Sequence, residues 1–302
     1  EINPETGKDK YLTDPVPEGK PLPVEPQDVE FSDVTHTCTL SVRCNTILDN
    51  IDWLDPEKVE LVPEDGVIFP TTTVTFYEGE SVFNVLQREM RKAGIHMEFE
   101  DTPMYNSAYI EGINNLYEFD CGELSGWMYS VDNDFPGVGA SNWQMSDGEV
   151  MRWQFTVYGY GADLNADNSM YGTASITGEI GDKTQLTYKV AEMREQYKNA
   201  SEDKTYTSGD NTLESSKIYI NVLENILGDP QAKQDALDTA MEDLELVATE
   251  LENKDIFAGI ADAVDADSLS AALNAYNQLT EQAKKAFDKA YPKQAEKIHA
   301  AM

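Results

Sequence analysis

Apolar and polar residues alternate in FSDVTHTCTLSVRC, residues 31–44, where Cys38, Leu40, Val42 and Cys44 share one face at period two. This predicts a strand ending near Asn45. Asn50 to Asp65 is polar, holds Pro56 and Pro63, and predicts a loop; Val67 to Phe76 is rich in β-formers and predicts a second strand. EGESVFNVLQREMRKAGI then changes to helical spacing, with Val82, Phe83, Val85, Leu86 and Met90 as the apolar positions. Ser81 can cap this helix and Gly94 can end it, just after Arg91 and Lys92. Short strands are expected at His96–Phe99, Ala108–Ile113, Trp127–Val131 and Glu149–Tyr158. Turn signals separate them at Asn114-Asn115, Asp132-Asn133-Asp134, Pro136-Gly137 and Asp147-Gly148. A hairpin, one helix and further strands is the order of a small α+β roll, for which a β-grasp-like fold is the natural candidate.

Beyond residue 162 the pattern changes. Residues 163–182 are rich in Gly, Asn, Asp and Ser and read as a linker. Residues 183–253 show three amphipathic stripes: Leu186, Val190, Met193 and Tyr197; then Ile218, Val222 and Ile226 with Leu223 and Leu227 beside them; then Leu237, Met241, Leu244, Val247 and Leu251. They predict a three-helix bundle. Residues 254–302 predict a further short helical module, with Asp267 and Thr280 as caps.

Composition narrows the partners. The chain has 302 residues with 22 Lys+Arg against 56 Asp+Glu, a formal charge of −34, of which −24 falls on residues 1–180. Such a surface repels phosphate backbones and anionic lipid, which argues against nucleic acid and membrane docking. No apolar run is long enough to span a bilayer. The first 30 residues hold six of the 13 prolines among charged and small residues and read as an extended linker. Glu1 is preceded by no initiator Met, so the sequence reads as a mature chain or an excised fragment. As a strand, residues 38–44 would hold the sulfurs of Cys38 and Cys44 roughly 20 Å apart, too far to bond, and an odd count of three cysteines cannot pair fully within one chain.

Catalytic signatures are absent: there is no GxSxG, HExxH or phosphate-loop motif, and His36, His96 and His299 lie far apart in sequence. The chain therefore reads as non-enzymatic. Asp163, Asn165, Asp167 and Ser169 occupy alternate positions of a calcium-loop pattern. Asn168 stands where the invariant Gly belongs and Ala174 where the bidentate Glu belongs, so a polar linker explains them better and no metal is expected.

Residues 106–153 concentrate eight aromatics, including three of the four tryptophans, among Gly and Asn turns. One helix over a small sheet cannot cover them all, so some are expected on an exposed rim. ESVFNVLQ, YIEGINNLYEFDCGELSGWMYSV and SDGEVMRW resemble the transcobalamin-like C-terminal domain found in many secreted proteins of gut Firmicutes, related to soluble-ligand-binding β-grasp domains. The resemblance covers about residues 35–162. It implies a β-grasp fold, an extracellular or cell-surface bacterial setting, and a ligand site at Trp127, Tyr129, Phe135, Gly137 and Val138, the region that faces the corrinoid in vitamin carriers. Relatives carry a Cys at the position of Ala140 as the expected partner of Cys121 and often another near Val157; without them Cys121 is either free or paired with Cys38 or Cys44. AALNAYNQLTEQAKKAF is similar to helical spacer modules of the same class of surface proteins.

The expectation is an α+β chain: a Pro-rich acidic linker (1–30), a β-grasp-like domain (31–162), a linker (163–182), a three-helix bundle (183–253) and a short helical module (254–302). Its function would be non-catalytic binding of a flat amphipathic molecule, with cobalamin as a candidate ligand and no bound cofactor. The alternative is an adhesin or structural surface module for protein or glycan.

Overall fold

The computed structural model describes residues 24, 26–158, 161–164, 166, 180–202 and 211–302. Most of the Pro-rich linker, and Asn165, Asp167, Asn168, Ser169 and Ala174 of the calcium-loop pattern, lie outside the described residues. The chain forms two compact units, Glu1–Gln234 and Asp235–Met302. Its content is mixed: sheets in the N-terminal half and helices in the C-terminal region.

The first unit runs β1 (Thr35–Arg43), α1 (Asn45–Leu48), β2 (Val67–Tyr77), α2 (Val82–Ala93), β3 (Met97–Thr102), β4 (Ser107–Ile113), β5 (Leu116–Tyr117), β6 (Gly126–Val131), β7 (Val150–Thr156), α3 (Thr184–Glu202) and α4 (Asn211–Gly228). A four-stranded sheet has the order β2-β1-β7-β6, and a three-stranded sheet the order β3-β4-β5. β1 pairs antiparallel with β2 and parallel with β7, placing the chain's first and last strands side by side at the centre. α2 begins with the expected cap: Ser81 Oγ accepts from Asn84 N at 3.2 Å, and Asn84 Oδ1 accepts from Ser81 N at 3.0 Å. Gly94 ends it at φ 70°. Asn114 and Asn115 (φ 54° and 58°) turn β4 into β5, the tight turn that their sequence signals.

One face of the larger sheet builds the core. Leu40 and Val42 of β1, Phe76 of β2, Trp127 and Tyr129 of β6, and Trp153 and Phe155 of β7 pack with Val85, Leu86 and Met90 of α2. Ile110, Ile113 and Leu116 of the smaller sheet close the same core. The other face is polar but also buried, through Thr39, Ser41, Arg43, Ser130, Arg152, Gln154 and Thr71. α3 covers it, touching β2, β1 and β7. α3 and α4 thus belong to the sheet's unit, and the boundary at Gln234/Asp235 falls inside the 183–253 segment that apolar spacing groups as one bundle.

α4 is also turned from its expected stripe. Ile218 and Val222 are exposed, whereas Ile220, Leu223, Glu224 and Leu227 are buried. The rotation carries Glu224 onto the polar sheet face, where it meets Arg43, Arg194 and Thr71.

The second unit takes in α5 (Gln234–Glu252) from Asp235 onward, then α6 (Lys254–Asp265), α7 (Leu269–Asn277), α8 (Glu281–Ala290) and α9 (Pro292–Ala301). Phe257, Ile260, Tyr276, Phe287 and Ile298 form its core. Thr280 caps α8, accepting from Ala283 N at 3.1 Å.

Candidate functional site

A groove of about 570 Å³, within the range of small-ligand sites, opens on the first unit. Residues 26–31 form one wall, the start of α2 another, and the β3–β4 turn with Ser141 the rest. Hydrogen bonds tie the first wall down: Val24 N donates to Asn142 O at 3.0 Å, and Asn106 Nδ2 donates to Gln27 Oε1 at 2.9 Å. Beside it, Ser141 Oγ accepts from Ala108 N at 2.9 Å, joining β4 to the 132–149 loop. Gly139 lets that loop approach, since a Cβ there would sit 2.3 Å from Ser107 Cβ.

The lining is amphipathic. Phe31, Phe83, Val29 and Pro103 supply apolar surface; Asn84, Asn106, Ser107 and Ser141 supply amides and hydroxyls. Phe31 is 61% exposed, while Phe83 stacks edge-on against Phe99 at 4.7 Å. Asp101 is the one ionisable side chain that lines the groove among the described residues. In a chain of charge −34, this is a nearly neutral surface suited to an uncharged, partly apolar ligand.

The sequence-predicted residues divide between the core and a separate small cavity. Trp127 is buried, its Nε1 donates to Leu116 O at 2.8 Å, and it packs edge-on against Phe155. Tyr129 is buried against Trp153 and its hydroxyl donates to Val138 O at 2.7 Å; burial raises its pKa. Both are core residues in this structure. Val138 is half-buried against the same core and Gly137 is exposed. Phe135 lines a separate small cavity beside Arg152 and Gln154, on the opposite face of the sheet. The groove residues Phe31 and Phe83 were missed because Phe83 reads as a core position of α2 and Phe31 stands outside the aromatic cluster.

Residues 79–157 match the family model described as a domain of unknown function (DUF4430). No curated protein matches the chain. The matched segment is well under half of the chain and runs from just before α2 to the end of β7. It includes the α2, β3–β4 and Ser141 sides of the groove; the wall at residues 26–31 lies outside it.

Asp163 is spent on the protein itself, not on a loop ligand set. Its carboxylate accepts from Thr156 Oγ1 and from Val157 N at 2.8 Å. No group of three or more His, Cys, Asp or Glu side chains among the described residues could hold a metal ion. Cys38, Cys44 and Cys121 are all free and buried, so Cys121 meets neither of the others. Burial pushes the thiols of Cys38 and Cys44 up to about 12 and that of Cys121 up to about 11. Thiolates are therefore scarce at neutral pH. The folded chain should not react with a thiol-titrating disulfide reagent, and denaturant should release three equivalents. Rapid native reaction would contradict this burial.

Proposed function

We propose that this is a non-catalytic segment of an extracellular bacterial surface protein whose first unit carries a transcobalamin-like β-grasp module, and that the groove at residues 26–31 receives a flat amphipathic ligand. The observation that carries the reading is the groove itself: one nearly neutral, aromatic and amide-lined concavity in a strongly acidic chain. The parallel pairing of first and last strands, with α2 packed on the core face, supports the β-grasp assignment. The family match over residues 79–157 supports the transcobalamin-like one.

A corrinoid is the first ligand to try. Titration calorimetry with cobalamin at about 100 µM populates any complex of micromolar Kd. We expect binding that Phe31→Ala weakens at least tenfold without loss of stability, because Phe31 is mostly exposed. No heat with the wild-type chain retires the corrinoid version. Binding that survives Phe31→Ala moves the ligand away from the groove.

One observation favours a second reading. Met104, Tyr105, Tyr109 and Phe119 are exposed on or beside the smaller sheet, an aromatic surface of the kind that contacts protein or glycan. A glycan array on which Tyr105→Ala abolishes a signal would select this adhesin reading.

A further inference from the structure

The polar face of the larger sheet holds a cluster of buried cations. Arg43 and Arg194 share Glu224. Arg152 has no such partner: it is 6% exposed, its Nη2 donates to the neutral amide of Asn133 at 2.8 Å, and its Nε has no hydrogen-bond partner. Lys183 is 3% exposed, and its ammonium reaches only backbone carbonyls, those of Leu227 and Asp229. Among the described residues no carboxylate forms an ion pair with either; Asp182 acts on Arg152, and Asp229 on Lys183, only by longer-range attraction. Burying an unpaired guanidinium is unfavourable by several kcal/mol unless a counter-charge accompanies it.

The space for a counter-charge is present. Arg152 and Lys183 both line a cavity of about 20 Å³, together with Asn133, Gln154 and Phe135. That space admits one water-sized or monatomic group. A water could accept from Arg152 Nε but would add no counter-charge of its own.

We propose that this cavity is a halide site, holding one chloride between Arg152 and Lys183 beneath the polar face of the sheet. It is independent of the ligand groove, whose lining shares no residue with it. The lowered pKa of Lys183, to about 7, reflects burial first and then the Arg152 and Arg43 charges, with Asp229 opposing them in part; an anion in the cavity acts in the same sense as Asp229. A ligand that binds only the folded state stabilises it by mass action.

Thermal unfolding followed by tryptophan fluorescence, at fixed ionic strength with chloride replacing gluconate, tests the site. Chloride at about 0.2 M is expected to raise Tm saturably by about 3–5 °C, and bromide to do the same. Arg152→Gln should remove the difference between the two salts. Because that variant removes a buried group and can fail to fold, a crystal of the wild-type chain grown with bromide provides the second measurement. An anomalous peak beside Arg152 and Lys183 supports the proposal. Equal Tm in chloride and gluconate, or a cavity holding only water in the bromide crystal, overturns it.

Discussion

Glu224→Ala is expected to lower the unfolding free energy of the first unit by about 3–5 kcal/mol, the cost of breaking a buried ion pair from one side. Glu224 is buried and holds four donors: Arg43, Arg194 Nη2 at 2.7 Å, Thr71 N at 3.3 Å and Thr71 Oγ1 at 3.1 Å. Alanine leaves two guanidinium groups facing each other without their shared anion. Burial already lowers the pKa of both Arg43 and Arg194, which marks how far the site is from water. Arg43→Met combined with Glu224→Met should recover much of the loss, because removing both charges also removes their desolvation. All four tryptophans precede residue 160, so urea unfolding followed by fluorescence reports this unit alone. A loss below about 1 kcal/mol would place Glu224 among solvated surface pairs instead.

That network also marks where the sequence stops being legible. Local rules found β1, β2 and α2, because alternation, Ser81 and Gly94 act within a few residues. The turn at Asn114-Asn115 was equally local. Arg43 and Glu224 are 181 residues apart, and no local pattern says that a glutamate on α4 faces inward. Helical spacing put Ile218 and Val222 on the buried face because it ranks residues by hydropathy; pairing with Arg43 and Arg194 reversed that order. Thr39, Ser41 and Arg43 carry the polarity of a solvated strand face, yet α3 covers them. The burial of the aromatic cluster is hidden for a related reason. One helix was judged too small to cover the aromatic cluster, but the cluster itself folds into a second sheet. Ile110, Ile113 and Leu116 from that sheet close over Trp127, and only Tyr109 and Phe119 are left at the rim.

Trp127 separates a core role from a ligand role. Trp127→Ala is expected to cost about 3–5 kcal/mol, the range for truncating a large buried aromatic. The removed ring packs against Phe155 at 5.3 Å, and its Nε1 donor to Leu116 O joins β6 to the smaller sheet. The loss should therefore loosen β3–β5 as well as the core, visible as faster hydrogen exchange at the Glu118 amide, which donates back to Glu111 O of β4 at 2.9 Å. Trp127→Phe keeps most of the packing and deletes the hydrogen bond, so it should cost about 1–2 kcal/mol, including the penalty of leaving Leu116 O unpaired. Trp127→Phe also provides the decisive comparison. A core residue changes stability and leaves ligand affinity of the folded chain unchanged. A residue that touches the ligand does the reverse. With Nε1 already bonded and the ring enclosed between β7 and the smaller sheet, the first outcome is expected. A tenfold loss of cobalamin affinity at unchanged stability would return the site to Trp127.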